Sequence, residues 1–270
     1  MNFLSIQIIS NCTICSRNNE FGFAVGEYTN NHFHELTCSN RGHKIKYFHA
    51  VPDYPIFFQN GLYAYHKKEY FEAFTSLYHS YEMFRLTFVQ LVMMEKFNFS
   101  YKELIDYLKP ISKSSVQIDG AFNTLYAAFF NEIAPDIPNK IKTLRNTVIH
   151  GSHYPVEKDV SKCAKAILSF INSIEQKLPL SDSYPHTLFQ KLGDLRLVYL
   201  QIEKILKRSD LESGASTLMT DNSNVVGRTP IDGLTDYNKP FSFEEALTHS
   251  KARLEIFQAN SKIFESIHNR

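Results

Sequence analysis

The sequence has no tryptophan, almost no net charge and no long apolar run. Without Trp, the 14% aromatic share falls entirely to 15 Tyr and 22 Phe, which points to a core packed by those rings. A formal net charge of +1 excludes a chain that binds nucleic acid through bulk charge, so any such site has to be a local patch. The lack of a sufficiently long apolar stretch speaks against a membrane-spanning helix, and no membrane association is expected. Met1 to Ser10 is partly apolar but has no basic segment before it, so it reads as a strand and not as a signal peptide. The four cysteines do not have the spacing of a disulfide framework, and a reducing cytoplasm is the expected location. No glycine-rich phosphate loop and no carboxylate cluster is visible, which argues against an NTPase or a two-metal DNase. There is also no internal repeat.

What is present is 270 residues, 43% hydrophobic and 21% charged, enough for one large domain or a medium one with small appendages. Residues 1–50 are polar and short-patterned. Strands are expected around Leu4, Ile6 and Ile8, around Phe21, Phe23 and Val25, and from His34 to Cys38. From Pro55 the period changes. Phe71, Phe74, Leu77, Tyr81, Phe84, Phe88 and Leu91 predict a long amphipathic helix over roughly Gly61 to Phe97, unbroken or with a break. The capping box Ser100-x-x-Glu103 opens a helix that should stop at Pro110. Ala121 to Ile133 reads as helical. Asp136 is expected to cap a helix with Ile141, Leu144 and Val148 on one face and Gly151 at its end. A further helix follows Pro155, with Val160, Cys163, Ala164, Ile167, Ile171, Ile174 and Leu178 inward. Beyond residue 180 a helical stripe runs from Leu188 to Ile205, a loop or linker spans about 209–240, and Ser242-x-x-Glu245 caps a final helix through Leu247, Leu254, Phe257 and Phe264. The expected organisation is a module at 1–50, a helical domain at 55–180 and a C-terminal helical extension at 181–270.

The stretch Leu144 to Gly151 concentrates chemistry. Asn146 and His150 are one turn apart on a helix, and the long side chain of Arg145 reaches the same side. His150 falls at the carbonyl end of the helix, which favours its imidazolium form. Such a set suits RNA phosphodiester transfer, in which the ribose 2′-hydroxyl supplies the nucleophile. His150 would move protons, Arg145 would hold and neutralise the phosphate, and Asn146 would orient the imidazole or bind a phosphate oxygen. The bland alternative is a histidine that merely precedes a helix-terminating glycine.

Arg145-Asn146-x-x-x-His150 resembles the Arg-x(4-6)-His signature of HEPN domains, in which a polar residue often follows the arginine. The surrounding Leu144 to Gly151, the Tyr154-Pro155 pair and the long helix after it are also similar. The segment from Gly61 through Tyr70-Phe71-Glu72-Ala73 to Ser80-Tyr81-Glu82 resembles the family's first long helix, with Glu82 at its acidic position. The resemblance covers Pro55 to Leu178. It implies an all-helical bundle that dimerises, and a metal-independent endoribonuclease of prokaryotic anti-phage defence or of a toxin system. Catalysis would need no cofactor and would use Arg145, Asn146, His150 and Glu82. RNA would be the substrate, and an antitoxin or defence-system protein would be a partner. The alternative within the family is a non-catalytic module that binds RNA, nucleotide or a protein.

Cys12-x-x-Cys15, followed by Cys38 and His43, has the makings of a structural zinc site, in which two knuckles each bring two ligands to one ion. The pattern resembles zinc ribbons that precede some HEPN-type domains. It departs from them at Arg41, where a second cysteine is expected. His34 or His32 could replace His43 as the fourth ligand, and an empty β-ribbon with reduced thiols is the other reading. Cys163, on an inward helical face, is expected to act as a small hydrophobe.

Overall fold

The structure is a computed structural model. It describes residues 7–20, 22–27, 33–49, 53–178, 216–219 and 242–251, together with 192, 195, 196, 199 and 255. The protein is mainly helical, with a small N-terminal antiparallel sheet and a separate C-terminal helix. Its backbone separates into two compact units. One comprises Met1–Val51, Gly193–Asp221 and Ala252–Arg270, and the other Pro52–Leu192 and Asn222–Lys251. None of the described helices is long and apolar enough to cross a membrane.

In the first unit β1 (Gln7–Asn11), β2 (Phe23–Glu27), β3 (Phe33–Cys38) and β4 (Lys44–His49) form an antiparallel meander, and β5 (Ser216–Met219) adds in parallel beside β4. The register pairs Ser10 with Ala24, Ala24 with Cys38, and Leu36 with Ile45. Between β1 and β2 lies a single helical turn, α1 (Thr13–Arg17), whose N-cap is Cys12. Ala24, Leu36, Ile45 and Tyr47 are buried with the three N-terminal cysteines. A core this small supplies little folding energy by itself. The β2 and β3 expectations match the observed strands, but β4 and β5 were not anticipated. β5 falls inside the stretch read as loop, because its partner is distant in sequence. Leu4, Ile6, Phe21, His32, Pro179 and the helical positions Leu188, Val198, Ile202, Ile205, Leu254, Phe257 and Phe264 lie outside the described residues.

The second unit is built around one long helix. Of the two readings of Gly61 to Phe97, the one with a break holds: the stretch is divided between α2 (Tyr54–His66) and α3 (Tyr70–Phe97). They separate at Lys68, which adopts a left-handed backbone with φ 63°. On α3, Phe74, Leu77, Tyr81, Phe84, Phe88 and Leu91 recur at three and four and are all buried, which is why this helix can be the hub of the unit. It packs on α2, α4 (Tyr101–Ile111), α5 (Ser115–Phe130), α6 (Asn139–Ile149) and α7 (Glu157–Glu175). The core is aromatic, as the composition suggested. Phe88 meets Phe122, Tyr126 and Phe130 at ring-centre distances of 5.4, 5.6 and 5.9 Å, and Phe170 of α7 sits 4.9 Å from Tyr81 and 5.8 Å from Phe84.

Helix ends follow local chemistry. Ser100 and Glu103 form the expected capping box on α4, with Ser100 N–H donating to Glu103 Oε2 at 2.7 Å. Pro110 lies inside the last turn of α4 and does not stop it. α5 starts at Ser115, earlier than expected, because the Ser114 hydroxyl accepts from Gln117 N–H. Asp136 does not cap α6, whose N-cap is Pro138. The Asp136 carboxylate instead accepts from Tyr81 Oη and from Ile137 N–H, and pairs with Lys142. The inward face of α7 is as predicted, with Cys163 fully buried. The second expected capping box also forms. Ser242 N–H donates to Glu245 Oε2 at 2.8 Å and Glu245 N–H donates to Ser242 Oγ at 3.1 Å, opening α8 over residues 243–251.

Candidate functional site

In the first unit, the Sγ atoms of Cys12, Cys15 and Cys38 and a ring nitrogen of His43 lie within 4.8 Å of one another. The cysteines are fully buried and His43 is half-buried. Cys12 Sγ and Cys15 Sγ are 3.5 and 3.6 Å from His43 Nδ1, and Cys15 Sγ is 3.6 Å from Cys38 Sγ. These separations are far longer than a disulfide bond, and all four cysteines are free. They match the edges of a ligand tetrahedron, about 3.8 Å between sulfurs for metal–sulfur bonds of about 2.3 Å. The cluster could therefore hold a metal ion.

Local backbone makes this arrangement. Cys12 N–H donates to Gly22 O at 2.7 Å and Cys15 N–H points at Cys12 Sγ at 3.4 Å, which folds the first knuckle. Cys38 N–H donates to His43 O at 2.8 Å and Gly42 N–H to Cys38 O at 2.9 Å, which closes the second. Gly22 must be glycine here, since a Cβ would fall 2.8 Å from Cys15 Sγ and 3.2 Å from Cys38 Sγ. Burial, with the neighbouring Cys38 and Cys12, pushes the Cys15 thiol up to about 12, and burial also raises Cys12. Burial opposes ionisation at Cys38 as well, yet the N–H groups of Arg41 and Asn40 outweigh it and lower that thiol. Three adjacent buried sulfurs in this state suit a cation that would draw all of them into the thiolate form. His43 is the fourth member of the cluster. His34 is buried elsewhere in the sheet, with its ring 6.1 Å from Tyr47.

In the second unit, α3 and α6 bring Glu82 and Arg145 together. Arg145 Nη2 is 3.7 Å from Glu82 Oε1, and both side chains are largely but not wholly covered. The guanidinium also lies 5.5 Å over the Tyr78 ring, and its Nη1 donates to Asn146 Oδ1 at 3.3 Å. Burial, with the Glu82 carboxylate adding, pushes the Tyr78 hydroxyl up to about 12, so the ring beneath Arg145 stays neutral. On the other side of Glu82, His79 Nδ1 is 3.8 Å from Oε2, and the His79 ring stands edge-on to Phe57 at 4.3 Å. Arg85 does not compete for Glu82. It is buried, pairs with Asp119 and lies 4.2 Å over Tyr81.

His150 is the C-cap of α6 and is exposed, and Asn146 is exposed one turn before it. Among the described residues no hydrogen bond or ion pair occupies the His150 imidazole. Gly151 follows with φ 73°, and Ser152 N–H and His153 N–H then both donate to Thr147 O, folding the loop back on the helix. His153 Nε2 is 2.9 Å from Asp159 Oδ2. Burial pushes the Asp159 carboxyl up, but its hydrogen bonds with His153 and Val156 N–H prevail and hold it below its usual value. Ring stacking under Arg145 by Tyr78 and the His153–Asp159 pair were not foreseen from the sequence. A tyrosine one turn before the acidic residue of α3 was the available signal for the first.

Compared with models of known protein families, with curated proteins and with solved structures, the chain matches none.

Proposed function

We propose that the protein is a metal-independent endoribonuclease of HEPN type, acting in prokaryotic anti-phage defence or as a toxin, in a reducing cytoplasm. The observation that carries the reading is the largely covered Arg145, held by Glu82, Tyr78 and Asn146, on the same helix end as an exposed and unengaged His150. A single contact of 3.7 Å to Glu82 is not a bidentate clamp, so the guanidinium keeps donors for a phosphate. In the proposed reaction the 2′-oxygen bonds to phosphorus, the bond to the 5′-oxygen breaks, and a 2′,3′-cyclic phosphate and a free 5′-hydroxyl result. One group takes the 2′-hydroxyl proton and another protonates the leaving 5′-oxygen. Glu82, lying between Arg145 and His79, acts as a positioning residue, which leaves two His150 side chains of a homodimer as the proton carriers.

Cys12, Cys15, Cys38 and His43 are proposed to hold one structural zinc ion, and the resident metal plays no part in the cleavage. The test of the reaction is the chemistry of the cut ends. Cyclic phosphate on the upstream fragment supports the reading, and a 3′-hydroxyl with a 5′-phosphate contradicts it. Mixing Arg145→Ala with His150→Ala chains tests the shared site. Activity of the mixture above that of either parent supports it, and a monomer that cleaves RNA refutes it.

A further inference from the structure

The loop between α6 and α7 carries a feature that core packing does not require. Tyr154 is 68% exposed, although the loop around it is pinned on every side. Ser152 and His153 N–H, and the Ser152 hydroxyl, bond to Thr147 O. His153 is tied to Asp159, and Pro155 is buried. The Tyr154 ring itself lies over Phe71 of α3, with centres 6.0 Å apart and planes 22° from parallel. This offset stacking steadies the ring while the side chain as a whole stays open to solvent. An aromatic ring fixed before a ligand arrives loses little freedom when a flat partner stacks on it.

Its place relative to the motif is set by α3. Arg145 lies over Tyr78 and Tyr154 over Phe71, two turns earlier on the same helix, roughly 10 Å at the helical rise. His150 falls between Arg145 and Tyr154 along the chain. A phosphate at Arg145 and a ring stacked at Tyr154 would then belong to the same or adjacent nucleotides.

We propose that Tyr154 is a base-stacking platform that restricts the substrate to unpaired RNA, by holding a nucleobase next to the phosphate gripped by Arg145. The proposal rests on the ribonuclease reading above. Bases inside a duplex have no free face to offer, whereas single strands and loops do. Stacking of this kind tolerates any base, so Tyr154 selects for strandedness and not for sequence.

The chain has no tryptophan, so Tyr154→Trp places a unique fluorophore at the platform. The experiment uses the full chain in a His150→Ala background, titrated with a short unstructured oligoadenylate and with the same oligomer annealed into a duplex. Saturable quenching by the single strand, little by the duplex, and affinity lowered about 5- to 150-fold in Tyr154→Ala but kept in Tyr154→Phe are expected. Because the side chain is exposed, Tyr154→Ala should keep its helical circular dichroism. Saturable binding of the single strand with unchanged emission and unchanged affinity in Tyr154→Ala overturns the platform, while His150-dependent cleavage by the parent would leave the nuclease reading standing. Neither binding nor cleavage of any RNA overturns both.

Discussion

Removing the metal proposed for the N-terminal sheet should expose three thiols and leave the fourth hidden. Cys12, Cys15, Cys38 and Cys163 are all fully buried, but only the first three belong to the Cys–His cluster, and Cys163 lies in the α7 core of the other unit. Three of the ligand–ligand edges are 3.5–3.6 Å and all four atoms lie within 4.8 Å of one another, close enough for one ion to reach them at zinc–sulfur bonds of about 2.3 Å and zinc–nitrogen bonds of about 2.0 Å. Binding at such a site contributes roughly 10–16 kcal/mol to folding in small zinc modules, far more than a core of Ala24, Leu36, Ile45 and Tyr47 can replace. The assay is titration of native protein with a thiol-reactive disulfide, with and without a strong chelator. Protein purified without chelator should contain one zinc per chain and react slowly. Chelation should release the zinc and make about three thiols reactive, with Cys163 responding only in denaturant. Protein free of zinc whose three thiols stay protected would refute the metal's structural role, and three freely reactive thiols in zinc-loaded protein would refute the ligand assignment.

Glu82→Gln should change stability by no more than about 1 kcal/mol, because its pair with Arg145 is long and partly open, yet should raise KM for RNA as Arg145 loses its support; thermal melts and steady-state kinetics read the two effects separately. Ser100→Ala, which removes the α4 capping box, should cost about 1 kcal/mol in urea unfolding without affecting cleavage. The Asp159 carboxyl is held below its usual value in the folded state, so the stability it contributes is present above its unfolded pKa and lost as pH falls through the folded one. Stability of the parent should accordingly fall more steeply in acid than that of Asp159→Asn, as measured by urea unfolding across the acidic range.

What could be read from the sequence was local. Both Ser-x-x-Glu boxes mark helix starts because the two reciprocal hydrogen bonds span only three residues. The inward face of α7 was legible because its 3.6-residue period is unbroken from Val160 to Ile174. The division between α2 and α3 was not placed, since Lys68 takes a left-handed backbone with no glycine or proline to signal it. β4 could have been found from the alternation of Lys44-Ile45-Lys46-Tyr47, whereas β5 depends on a partner strand far away in the chain. At the sites, knuckle spacing picked out the cysteines but left three histidines open, because only the hairpin turn between Cys38 and His43 decides which ring arrives. The Arg145–Glu82 approach depends on how α6 packs against α3, which no local pattern encodes.

In the proposed reaction His150 drives RNA cleavage without a catalytic metal. The most direct measurement is the cleavage rate of single-stranded RNA by zinc-loaded parent and by His150→Ala, in buffer stripped of free divalent cations. Full activity of the parent in that buffer and a loss of roughly two to four decades in the variant are expected. A parent that cuts only when magnesium is restored, or a His150→Ala protein that cuts at the parental rate, would contradict the proposed reaction.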